Sequence, residues 1–140
     1  MMKRLLFIVF CSLGCLCCVF GIVRGCVPSR EDRARAVADE FLKEYYSMDF
    51  ACAAALCTPS CADLIGQSVC DMASLPEYVL GKMKEASDET SYEIVAVDAE
   101  SVEGMVEVLY RVSAPGLNHP LEKTLRLKVE GRTALVDAVE

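Results

Sequence analysis

The sequence has no tryptophan, a single histidine (His119) and fewer basic than acidic side chains. Each shortage removes a class of function. From Val27 onward there are 11 basic and 21 acidic residues, a net charge of −10. A phosphate-backbone partner needs a basic face, so nucleic acid is not an expected partner. A zinc site takes converging ligands at short paired spacings. Cys52, Cys57, Cys61 and Cys70 contain no Cys-x-x-Cys, and His119 lies far off in a Pro/Gly/Asn loop. Neither a metal nor any other cofactor is expected. The same lone imidazole argues against a catalytic cysteine, which needs a base beside it. Internal repeats are absent too.

What is abundant is apolar, 54% of residues, and the N-terminus explains much of it. Lys3 and Arg4 precede an uncharged run over residues 5–23, 19 residues long. A charged start followed by an apolar stretch is an export signal, and this one exceeds the usual length of roughly 7–15. Runs of about 18 or more apolar residues can also span a bilayer. Three outcomes stay open: an uncleaved anchor, a lipoprotein leader with an acylated cysteine, and a cleaved signal. For the second, Val23-Arg24-Gly25-Cys26 has a lipobox pattern except at Arg24, and Ser12-Leu13-Gly14-Cys15 would leave apolar residues 16–23 on the mature chain. Cys26 is the lipidation candidate. All three outcomes place the domain outside the cytoplasm, at a membrane or on the periplasmic or cell-envelope face. The chain divides into a signal or anchor segment, residues 1–26, and one domain, residues 27–140.

The domain opens on the segment around which the rest is arranged. Over residues 29–48, Ala34, Val37, Ala38, Phe41, Leu42, Tyr45 and Met48 recur at helical spacing on one stripe. Ser29 and Asp32 have capping-box spacing. Asp49 caps a short alanine-rich helix over 50–57. Thr58-Pro59 ends it and starts another over 60–72, because proline breaks a helix interior but suits a first turn. Ser74-Leu75-Pro76-Glu77 repeats the capping spacing and opens a helix to residue 86.

From Tyr92 the period falls to two. Residues 92–97 form a strand apolar on both faces. Val106, Val108, Tyr110 and Val112 share a face, residues 114–120 are a loop, and Leu121, Lys123, Leu125, Leu127 and Val129 share the next apolar face. Glu130-Gly131-Arg132 turns into a last strand over 133–139. Helices followed by short-linked antiparallel strands predict an α+β domain: an N-terminal membrane-targeting helix, then three to four helices packed on a curved four-stranded antiparallel sheet.

This order resembles small exported bacterial proteins of the nuclear-transport-factor-two-like, or cystatin-like, superfamily, and more narrowly their uncharacterised lipoprotein and lumazine-binding-like members. The likeness is carried by Ala38-Asp39-Glu40-Phe41-Leu42 and by residues 49–59, and extends over residues 31–140. A Trp-x-Val strand found in many relatives is replaced by Thr133-Ala134-Leu135-Val136. The resemblance implies a cone-shaped fold whose sheet and helices enclose a pocket, and it carries over no catalytic residue.

Four tyrosines, Tyr45, Tyr46, Tyr78 and Tyr110, suit such a pocket, since the side chain joins an apolar body to a polar tip. Cys52, Cys57, Cys61 and Cys70 are disulfide candidates in an oxidising compartment, with three connectivities open. The other reading is that they are small buried apolar residues. The acid pairs Glu31/Asp32, Asp39/Glu40 and Asp88/Glu89 lie on caps or solvated helix faces. Asp137 shares a face with Leu135 and Val139 by alternation. The functional expectation is a non-enzymatic, membrane-tethered binding domain for a small ligand or a protein, with a homodimer allowed. The alternatives are a pocket enzyme of isomerase or dehydratase type working through His119 or Asp137, and a purely structural envelope component.

Overall fold

The computed structural model describes residues 27–100 and 102–140. The N-terminal segment expected to direct export or anchoring, residues 1–26, and with it Cys26, therefore lies outside the described residues. Helix α1 (Arg30–Tyr46) starts at the expected capping box: the Ser29 hydroxyl accepts from the Asp32 N–H, and the Asp32 carboxylate accepts from the Ser29 N–H. Ala34, Ala38, Phe41 and Leu42 of its stripe are fully buried.

The helix ends earlier than its apolar spacing predicts. Ser47 is the C-cap, and Met48 follows at φ 63°, the left-handed region where glycine is usual. Asp49 then caps α2 (Phe50–Ala55) by accepting from the Cys52 N–H at 3.2 Å. This helix also stops short, because Cys57 is taken by the sheet. The Thr58 N–H donates to the Val136 carbonyl and the Val136 N–H to the Leu56 carbonyl, both at 2.8 Å, forming a parallel bridge.

Pro59 occupies the first turn of α3 (Pro59–Ala73), as its fixed φ favours. Thr58 holds the cap position, yet its side chain caps nothing. Ser74 is a second departure: it closes α3, its hydroxyl donating to the Asp71 carbonyl at 2.6 Å. Pro76, not Ser74, precedes α4 (Glu77–Asp88), which has no side-chain cap and buries none of its residues.

Strands β1 (Ser91–Asp98), β2 (Met105–Ser113), β3 (Leu121–Glu130) and β4 (Thr133–Val139) form one antiparallel sheet in sequence order. The domain is α+β, with four helices ahead of a four-stranded sheet. Gly131, at φ 55°, opens the two-residue loop between β3 and β4, where a positive φ matches the twist of the flanking strands.

Alternation holds in β2 and β3, whose Val106, Val108, Tyr110, Leu125 and Leu127 are fully buried with the α1 stripe and Val136 in one core. It fails in the outer strands. In β1 the pairing jumps from Ile94↔Tyr110 to Ala96↔Leu109, leaving Val95 extra and exposed. A strand apolar on both faces therefore shows mostly one covered face, through Tyr92, Ile94 and Val97. In β4 the pairing jumps from Leu127↔Val136 to Arg126↔Ala138, so Asp137 has no cross-strand partner. Such an insertion shifts every later residue to the other face. Val139 packs against the core as a result, and does not share a face with Leu135 as simple alternation predicts.

Candidate functional site

The helices and the end of the sheet leave an open cleft of about 550 Å³ between them. Its floor comes from the end of α1 and the turn leading into α2: Tyr45, Tyr46, Met48 and Phe50. One wall is α3, through Cys61, Leu64, Ile65, Ser68 and Met72. The other is α4, through Met83, Ala86 and Ser87, with Thr90 beyond it, and Ala138 and Val139 of β4 close the far end.

Each wall follows from local sequence. The Thr58-Pro59 break turns α3 away from α2. α4 is returned to α1 by polar contacts in place of a buried face: the Ser87 hydroxyl donates to the Tyr46 carbonyl, and Lys84 Nζ donates to the Ser47 carbonyl at 3.3 Å. Met48 gains its place through its left-handed backbone. Strained residues of this kind persist where the surrounding structure holds them, and they gather at binding sites.

The floor is largely aromatic. Tyr45 stacks on Phe41 with ring centroids 5.4 Å apart and meets Phe50 edge-on at 5.7 Å. Tyr46 lies edge-on to Tyr45 at 5.2 Å, and its hydroxyl meets that of Tyr110 at 3.4 Å. Burial pushes the phenols of Tyr46 and Tyr110 up from their ordinary value, so both stay protonated donors. Of the four tyrosines expected near a pocket, Tyr45 and Tyr46 line the cleft and Tyr110 lies in the core beneath Tyr46. Tyr78 does not line it. It stands 70% exposed in the first turn of α4, off the half-buried face that carries Met83, Ala86 and Ser87.

No family model, curated protein or solved structure matches this chain. What the site does must therefore be read from its own groups.

Among the described residues, the lining holds no carboxylate, imidazole, ammonium or guanidinium group. His119 is exposed in the loop between β2 and β3. Asp137 is outside the lining and accepts from Thr58 Oγ1 at 3.0 Å. All four cysteines expected as disulfide candidates are free thiols, Cys57 and Cys61 buried, Cys52 and Cys70 exposed. Burial, then its neighbour Cys61, pushes the Cys57 thiol far above its ordinary range. Burial also raises Cys61, the one thiol in the lining. A thiol so shifted carries little thiolate and is a poor nucleophile. Away from the cleft proper, Glu44, Asp49 and Cys52 gather their ligand atoms within 4.8 Å, with Asp49 occupied as the cap of α2.

Of the lining, sequence reasoning names only Tyr45 and Tyr46 as pocket residues; Met48, Leu64, Ile65, Met72 and Met83 are visible only as members of apolar helix stripes, and Ser68, Ala86, Ser87, Thr90 and Ala138 carry no signal as lining. Where two segments meet far along the chain is not written in the period of either.

Proposed function

We propose that this chain is an exported, membrane-tethered domain of the nuclear-transport-factor-two-like type that binds a small apolar molecule without transforming it. The observation carrying this is the composition of the cleft. Its roughly 550 Å³ falls in the usual range for small-ligand sites, and side chains of Met48, Phe50, Leu64, Ile65, Met72 and Met83 dominate it. Acid–base chemistry would require titratable groups at the reacting atoms, whereas this lining offers hydroxyls and one unreactive thiol. Methionine suits such a role, since an unbranched, polarisable side chain adapts to varied apolar shapes. The leader over residues 5–23 supports the tether, and the order of helices and strands supports the kinship.

The test is extraction of the purified full chain with organic solvent, followed by mass spectrometry. The wild type releases a neutral apolar compound. Ala86→Trp, which fills the cleft from a helix with no fully buried residue, loses it while remaining folded. Failure of the wild type to release a compound or to bind an added alkyl probe overturns the reading. The intact mass from the same preparation separates anchor, acylated Cys26 and cleaved signal.

A protein partner is the second reading, favoured by Leu64 and Tyr78, 63% and 70% exposed on α3 and α4. It predicts that Leu64→Ser with Tyr78→Ser abolishes a cross-linked complex without altering the bound compound.

A further inference from the structure

We propose that the cleft takes a neutral amphiphile whose carbonyl oxygen is hydrogen-bonded by the Tyr46 hydroxyl, with the apolar body lying among the methionines; this rests on the binding reading above. Of the five hydroxyls in the lining, the three on serine and threonine have spent their protons, which leaves the two tyrosines. Ser68 Oγ donates to the Leu64 carbonyl at 3.1 Å, Thr90 Oγ1 to the Ala86 carbonyl at 2.7 Å, and Ser87 Oγ to the Tyr46 carbonyl.

The two phenols differ. Tyr110 is fully buried, and among the described residues its hydroxyl meets only that of Tyr46. Two hydroxyls sharing one bond leave one proton over. A donor left unpaired in the interior is costly, so the buried Tyr110 donates and Tyr46 accepts. The remaining proton belongs to Tyr46, a residue of the cleft lining. Its contact with Tyr110, 3.4 Å long, orients its oxygen only loosely, so its proton is available to a ligand. Tyr45 also lines the cleft, but no bond among the described residues holds its hydroxyl.

The ligand is neutral for electrostatic reasons. Among the described residues the lining holds neither a cation to pair an anionic head nor a carboxylate to pair a cationic one, and the net charge of −10 over residues 27–140 repels anions further. Lys84, which reaches the Ser47 carbonyl, is shared with Asp88 at 3.5 Å. A carboxylate head would be desolvated without a counter-charge.

The experiment uses the full chain in phospholipid nanodiscs, with methionine methyls labelled with carbon-13. Met48, Met72 and Met83 report from the cleft, and Met105 in β2 reports on folding. Undecane and 2-undecanone are titrated into wild type, Tyr46→Phe and Tyr45→Phe. Tyr46→Phe weakens ketone binding about five- to tenfold, the worth of one neutral hydrogen bond, and leaves undecane unchanged. Tyr45→Phe leaves the preference for ketone over alkane intact. An unaltered ketone affinity in Tyr46→Phe, an equal loss of both probes, or a loss of preference only in Tyr45→Phe overturns the assignment. If neither probe moves the wild-type cleft methionines, the binding reading itself falls, and this one with it.

Discussion

Thr58 Oγ1 donates a hydrogen bond to Asp137 Oδ1 at 3.0 Å, tying the break before α3 to the irregular step in β4. Thr58 is buried, at 6% exposure, and its hydroxyl is not used as a helix cap. Thr58→Val keeps the shape and removes the donor. It should lower stability by about 1–2 kcal/mol, read from urea unfolding, while Asp137→Asn, which keeps an acceptor, loses less.

Met48 offers a gain in stability at a loss of function. Its φ of 63° costs a residue with a Cβ about 1 kcal/mol, a cost glycine escapes. Met48→Gly should raise the unfolding midpoint and weaken binding of an alkyl probe in the cleft. A variant that binds normally would show that this side chain contributes nothing to the site.

The cysteines should separate by burial. In native protein under reducing conditions, iodoacetamide modifies Cys52 and Cys70, whereas Cys57 and Cys61 react only on unfolding. A hydrogen bond with Asp49, and then its charge, raises the Cys52 thiol from its ordinary value. Asp49→Asn preserves the cap and should speed alkylation of Cys52. Peptide mapping after modification reads each site separately.

Alkaline pH should weaken the fold through Tyr92. Burial, and then its hydrogen bond to Asp39, pushes the phenol from 10.0 to about 12. The folded state thus favours the protonated phenol. The contribution is complete below pH 10 and is lost as pH rises from there through about 12. Urea midpoints measured between pH 8 and 11 should fall less steeply in Tyr92→Phe than in wild type.

The legible parts of this molecule are those decided over short stretches of chain. Ser29 and Asp32 mark the start of α1, Asp49 the start of α2 and Pro59 that of α3, because a cap is satisfied by residues within one turn. The buried faces of β2 and β3 follow from alternation alone. What escaped depends on distant partners. Cys57 looks helical by composition and leaves α2 because Val136 offers it a ladder position. Ser74 has the spacing to cap α4 and is used by α3. Val95 and Asp137 look like ordinary members of their strands, and a single inserted residue cannot be seen in the periodicity of a short run. The cleft combines both kinds of information. Tyr45 and Tyr46 stand out by chemistry, whereas the α4 wall depends on where Ser87 and Lys84 attach.

The two margins of the sheet are not equivalent. Beside β4, backbone around Cys57 already occupies part of the ladder. Beside β1, the surplus Val95 interrupts the even row of amide and carbonyl groups that an incoming strand would need. Each border thus resists growth of the sheet in its own way, one by being already taken and the other by its irregular spacing.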